Sequence, residues 1–171
     1  EAIEKAVRRD SPQKLDIDAL PTSLQEHGAS FVTLTINGRL RGCIGTLEAH
    51  QPLANDVQEH AIAAALHDFR FPPVRPEELS RIAIEVSILS PNIPLMYKGS
   101  NDLVEKLKPR IDGIVLQDGF RKATFLPQVW DQLPDPAEFL THLCVKMGTA
   151  GDLWRKKPLQ VFTYQVQEFH E

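Results

Sequence analysis

Apolar and polar positions alternate with period two over Phe31-Val32-Thr33-Leu34-Thr35-Ile36, and the run stops at Asn37-Gly38 before a second extended run, Arg39 to Thr46. Asn-Gly between two such runs predicts a two-residue hairpin, because a type I′ turn needs positive φ at both central positions. The same device recurs at Ile114 to Gln117, Asp118-Gly119 and Phe120 to Leu126. After the first hairpin the pattern turns helical over about Gln51 to Asp68, with Pro52 suited to the first turn. After the second come a short helical stretch, Gln128 to Leu133, and a longer one from Asp135 to Met147. There Asp135 serves as N-cap, Pro136 takes the first helical position and Gly148 closes the end. Each half finishes on a strand. Arg81 to Leu89 places Ile82, Ile84, Val86 and Ile88 on one face, and Leu159 to Phe169 sets Val161, Thr163 and Gln165 against Phe162, Tyr164 and Val166. Glu1 to Arg9 reads as a leading helix.

Hairpin, helix, strand, twice over, predicts an α+β fold of mostly antiparallel sheets with packed helices. The expected arrangement is one domain over 1–171 with sub-halves 28–90 and 110–170, joined by a Pro-rich segment 91–109 (Pro91, Pro94, Pro109) with a short helix at Asp102 to Lys108. On a helical wheel Leu53, Val57, Ala61 and Ala64 form the sheet-facing stripe. Ile62 and Leu66 fall opposite, with Asp56, His60 and His67 on a flank.

Composition changes this picture little. Of 171 residues 42% are hydrophobic and 25% charged, which speaks against disorder. A net charge of -4 with scattered Lys and Arg argues against a nucleic-acid partner. No apolar run approaches the roughly 18 residues of a membrane span. Two distant cysteines, Cys43 and Cys144, read as free thiols in a reducing compartment, and so point to the cytoplasm.

The least ordinary stretch is Leu40-Arg41-Gly42-Cys43-Ile44-Gly45-Thr46. Two glycines within four strand residues imply a bulge, a close backbone approach, or bare N–H groups able to cradle an anion. If the hairpin stays in register, Leu34 faces Arg41 and Val32 faces Cys43, so both would point inward with the apolar residues. A bulge at Gly42 would send Cys43 to the other face. An inward Arg needs a carboxylate, carbonyls or a bound anion. A thiol beside a guanidinium and free N–H groups suits a nucleophile or ligand, with Arg41 as anion anchor; the plainer alternative is a small buried strand residue.

Two other segments are candidates for a pocket wall. In Asp68-Phe69-Arg70-Phe71-Pro72-Pro73 the rings either plug the core or line a site, and in Ala123 to Trp130 the polar Thr124 and Gln128 sit beside Trp130. A metal site is disfavoured: there is no Cys-x-x-Cys and no His pair four residues apart. Asp56, His60 and His67 would need ligands from elsewhere, and no cofactor motif is present. A Cys–His–carboxylate triad stays open, because its members need not be close in sequence.

Those segments, with Glu85-Val86-Ser87 and His142-Leu143-Cys144, resemble the AMMECR domain family, also called AmmeMemoRadiSam system protein A. The resemblance spans nearly the whole chain; one departure is Phe69, where a smaller residue is expected. It implies an α+β protein of two packed subdomains, with the Arg-Gly-Cys-Ile-Gly segment, here Arg41 to Gly45, as hallmark and site. It also implies two partners, a Memo-like protein akin to extradiol dioxygenases and a radical-SAM protein. Either an enzyme component or a non-catalytic adaptor docking on those partners fits it.

Overall fold

The structure, a computed structural model, describes residues 1–11 and 14–171. The chain runs α1 (Ala2–Val7), α2 (Thr22–Gln25), β1 (His27–Ile36), β2 (Arg39–Gly45), β3 (Gln51–Pro52), α3 (Leu53–Leu66), β4 (Ile82–Leu89), β5 (Ile93–Pro94), α4 (Ser100–Lys106), β6 (Gly113–Asp118), β7 (Arg121–Phe125), α5 (Pro136–Lys146), α6 (Leu153–Lys156), β8 (Gln160–Tyr164) and β9 (Val166–His170). Short 3₁₀ turns lie at Ile17–Ala19, Pro76–Arg81 and Pro127–Asp131. No helix among the described residues is long and apolar enough to cross a membrane.

The α+β expectation and its doubled pattern hold. One sheet has the order β2-β1-β4-β9, with β3 paired to the start of β1; the other has the order β5-β8-β6-β7. In each, the first hairpin strand is central, flanked by its hairpin partner and by the strand that follows the helix. Two compact units result, Glu1–Leu89 with Gln167–Glu171, and Ser90–Val166.

The first hairpin closes as predicted. Ile36 pairs with Arg39, and Asn37 and Gly38 both have positive φ. The second is shifted by one residue: Asp118 pairs with Arg121, so the loop is Gly119-Phe120, with only Gly119 at positive φ. That is the type II′ pattern, with Gly at the first central position. The C-terminal run, expected as one strand, is two strands in different sheets. β8 ends at Tyr164, and Gln165 and Ser90 exchange hydrogen bonds where the chain leaves the second sheet. β9 then adds to β4, and Ile84 and Glu171 exchange both backbone bonds.

In the first unit, Val32 and Leu34 of β1, with Ile82, Ile84 and Val86 of β4, pack beneath Ala61, Ala64 and Ala65 of α3, joined by Ile3 and Val7 of α1. The alanines allow α3 to lie close on the sheet. In the second unit Leu103, Ile114, Leu116, Trp130, Phe139, Leu143 and Cys144 form the core.

Candidate functional site

β2 is an edge strand with β1 on one side only, so its outward backbone groups need other partners. The segment after α3 supplies them. The Cys43 amide donates to the Asp68 carboxylate at 2.9 Å, and Arg70 Nη2 donates to the Cys43 carbonyl at 3.1 Å. Arg70 is held in turn by Asp68, through Nε to Oδ1 at 2.9 Å and Nη2 to Oδ2 at 2.6 Å. Asp68 is 4% exposed, and hydrogen bonds from Arg70 and from the Cys43 amide hold its carboxyl well below the usual range despite its burial.

Register decides where Arg41 and Cys43 go. Leu34 pairs with Gly42 and Thr35 with Leu40, so Arg41 is the extra residue of a bulge. The unbulged register expected from sequence is therefore corrected: Cys43 lies opposite Thr33 rather than Val32, on the face away from α3. The bulge sits one residue earlier than the alternative weighed at Gly42. The Thr33 hydroxyl donates to Cys43 Sγ at 3.3 Å, and the thiol is partly exposed. Arg70 is held beside the same residue by its bond to the Cys43 carbonyl. The guanidinium pKa is raised mainly by Asp68, and the Cys43 side chain adds smaller electrostatic and hydrogen-bonding contributions.

Arg41 finds protein partners. Its Nε and Nη2 reach the two Glu78 oxygens at 2.8 and 3.0 Å, while Nη1 and Nη2 reach the carbonyls of Pro72 and Pro73 at 2.9 and 3.3 Å. Glu78 also accepts from the Arg75 amide at 2.9 Å. The Arg41 hydrogen bonds, more than any other contact, bring the Glu78 carboxyl down to about 2, and Glu78 raises Arg41. Residues 68–78 thus form a strap fastened to β2 at Cys43 and at Arg41.

Both glycines have packing reasons. A methyl group at Gly42 would overlap the Ala64 carbonyl oxygen of α3, and one at Gly45 would overlap the Phe31 ring and the Ser30 carbonyl. Ile44 packs against the core, and the Thr46 hydroxyl accepts from the Glu48 amide at 3.2 Å. Phe71 lies 5.6 Å from the Arg70 guanidinium carbon, and Phe69 beside it is 95% exposed. Cys43, Arg70 and Phe71 therefore share one locality, with Arg41 fastening its strap.

The remaining candidates belong to the second unit. Trp130 is fully buried, donates from Nε1 to the Asp112 carbonyl at 2.7 Å and stacks on Phe139 at 3.8 Å. Thr124 donates to the Ile114 carbonyl at 2.8 Å and meets the Tyr164 hydroxyl, also at 2.8 Å. Gln128 lies partly buried in the 3₁₀ turn before Trp130.

Sequence reasoning missed Asp68, Glu78 and Thr33 as members of the site. A bulged Arg beside two prolines signals that a carboxylate is needed, but not which one. Sequence reasoning set Asp56 and His60 on one flank of α3 but missed Ser30 as their partner. Asp56, 2% exposed, accepts from Ser30 Oγ at 2.6 Å, and His60 Nδ1 lies 3.1 Å from the same oxygen. His67, grouped with them on the wheel, is exposed at the end of α3. Among the described residues no set of three or more His, Cys, Asp or Glu is placed to hold a metal ion.

Residues 1–169 match the AMMECR1 family model. A protein of Methanothermobacter thermautotrophicus is 39% identical over 171 residues, spanning 99% of this chain and 88% of its own length. Protein MJ0810 of Methanocaldococcus jannaschii is 37% identical, spanning 93% and 81%. The crystal structure of an uncharacterized protein, PH0010, from Pyrococcus horikoshii superposes with a TM-score of 0.91 at 31% identity, covering 99% of this chain and 86% of that one.

Proposed function

Given that the chain belongs to the AMMECR1 family, we propose that it is an enzyme component acting on a small anionic molecule, with its site on the Arg41–Gly45 segment. Cys43 is the reacting group as nucleophile or ligand, Arg70 holds the anion beside it, and Arg41 keeps the strap in place. The observation that carries this reading is a partly exposed thiol that accepts from the Thr33 hydroxyl, on a residue whose own carbonyl accepts from the Arg70 guanidinium. A guanidinium edge suits a carboxylate or phosphate, and a partly exposed thiol is within reach of what that edge holds. The test is iodoacetamide labelling of the folded protein, followed by peptide mass spectrometry. Cys43 should label first, with the fully buried Cys144 as internal control, and Arg70→Gln should slow Cys43 without changing Cys144. A Cys43 that labels only on unfolding would end the reading.

One observation favours an adaptor instead. Phe69, in the strap, is 95% exposed, as an aromatic anchor for a partner would be. The partners in that case are the Memo-like and radical-SAM proteins that the family implies. Co-purification with either that survives Cys43→Ser but fails on Phe69→Ala would favour docking over chemistry.

A further inference from the structure

At the hairpin end of β2 lies a cleft of about 580 Å³, bounded by the tip of the first hairpin and the 3₁₀ turn Pro76–Arg81. It contains neither Cys43 nor Arg70. Its walls are Ile36, Asn37, Arg39, Leu40, Arg41, Glu78 and Arg81. Arg39 pairs with Ile36 across β1–β2, Ile36 pairs with Ile82 across β1–β4, and Arg81 directly precedes Ile82. The two arginines therefore bracket the same end of β1.

The charges at this cleft do not balance. Glu78 is its one carboxylate, and both oxygens are taken by Arg41, with a further bond from the Arg75 amide. Arg39 and Arg81 are exposed, and neither side chain has a hydrogen bond or ion pair among the described residues. Two uncompensated guanidiniums thus face one cleft in a chain whose net charge is -4. Beside them Leu40 is 43% exposed and Ile36 partly so, which gives the cleft an apolar wall. Its volume falls in the range of about 300–1,000 Å³ usual for small-molecule pockets.

We infer that this cleft binds a small organic phosphate, with Arg39 and Arg81 on the phosphate oxygens and the organic body against Leu40 and Ile36. Guanidinium forks match phosphate oxygens in geometry and keep their charge at any physiological pH. The Arg41–Glu78 pair does two things for such a ligand: it fixes the wall, and it neutralises the carboxylate that would repel the phosphate.

The experiment is an amide NMR titration of the whole chain at constant ionic strength, with phenyl phosphate and with inorganic phosphate as probes. Saturable shifts should centre on Arg39, Leu40 and Arg81, with phenyl phosphate binding at least about fivefold tighter than inorganic phosphate. Arg39→Ala and Arg81→Ala should each weaken phenyl phosphate about tenfold, and the double variant should abolish saturation. Both side chains are exposed, so the variants should keep the wild-type spectrum elsewhere. Equal affinity for the two probes, or unchanged binding in the double variant, would overturn the assignment. So would shifts centred on Cys43 and Arg70, although those would favour the function proposed above.

Discussion

At Gly42 a side chain has nowhere to go, because the Ala64 carbonyl of α3 already occupies the space. Backbone cannot step aside as a flexible side chain does, so Gly42→Ala should cost about 3 kcal/mol, at the upper end of overpacking penalties. Gly38 is the contrast. It has open space around it but φ of +73°, so Gly38→Ala should cost only about 1 kcal/mol in left-handed strain. Urea midpoints of the two variants decide the matter, and equal losses would remove close approach as the reason for Gly42. The sequence showed that paired glycines in a strand needed a reason, and close approach was among those it offered. The choice was hidden because the obstructing atoms, at Ala64, Phe31 and Ser30, come from other elements. Arg41 is a similar case: its need for a carboxylate was legible, but Glu78 lies 37 residues away. That pair also sets a pH dependence. Glu78 titrates at about 2 in the folded chain against 4.5 for an unperturbed carboxyl. Its contribution is therefore complete above pH 4.5 and is lost as pH falls towards 2. The shift corresponds to at most about 3 kcal/mol. The raised Arg41 acts in the same sense but loses its contribution only at strongly alkaline pH. Glu78→Gln should thus be less stable at pH 7 and show a flatter decline between pH 4.5 and 2; an unchanged slope in urea titrations would refute the assignment.

Edge strands carry unpaired backbone groups, and β2 satisfies those of Cys43 with side chains rather than with another strand. The Cys43 amide should therefore exchange with solvent only when the strap lifts. Asp68→Ala removes its acceptor and the brace on Arg70, so the Cys43 amide should exchange at least about tenfold faster, while Val32 and Leu34 in the core keep their protection. Equal acceleration across β1 and β2 would mean that Asp68 supports the whole sheet rather than its edge. Periodicity located the elements well, because alternation reports which face a residue takes. It does not report which strand lies alongside. Leu159 to Phe169 kept its alternation across Gln165 while its pairing partner changed, so one strand was expected where β8 and β9 lie. The bulge at Arg41 escaped for a related reason. Between Leu40 and Ile44 the strand has only Arg, Gly and Cys, so a slip of one residue there left no mark on the apolar alternation.

Chain order and structural units part company at the C-terminus. The doubled pattern suggested halves that are continuous in sequence, yet the first sheet takes its last strand, β9, from the C-terminal end of the chain, and Gln167–Glu171 belong to the first unit. Residues 90–166 carry everything the second unit uses: the four strands β5 to β8, and the helices that bury Trp130, Phe139 and Leu143. Residues 1–89 lack β9, so β4 would present an open edge at Ile84, whose amide and carbonyl both bond to Glu171. A fragment of residues 90–166 should therefore fold alone with a cooperative thermal transition, whereas 1–89 should be less stable and prone to associate through β4. The cleaner comparison is the full chain against one ending at Gln165. Hydrogen exchange should then show lost protection at Ile84 and unchanged protection at Leu116 of β6. If Ile84 stays protected in the shortened chain, β9 is an ornament on the first sheet rather than part of it. If Leu116 is exposed as well, the two units do not fold independently.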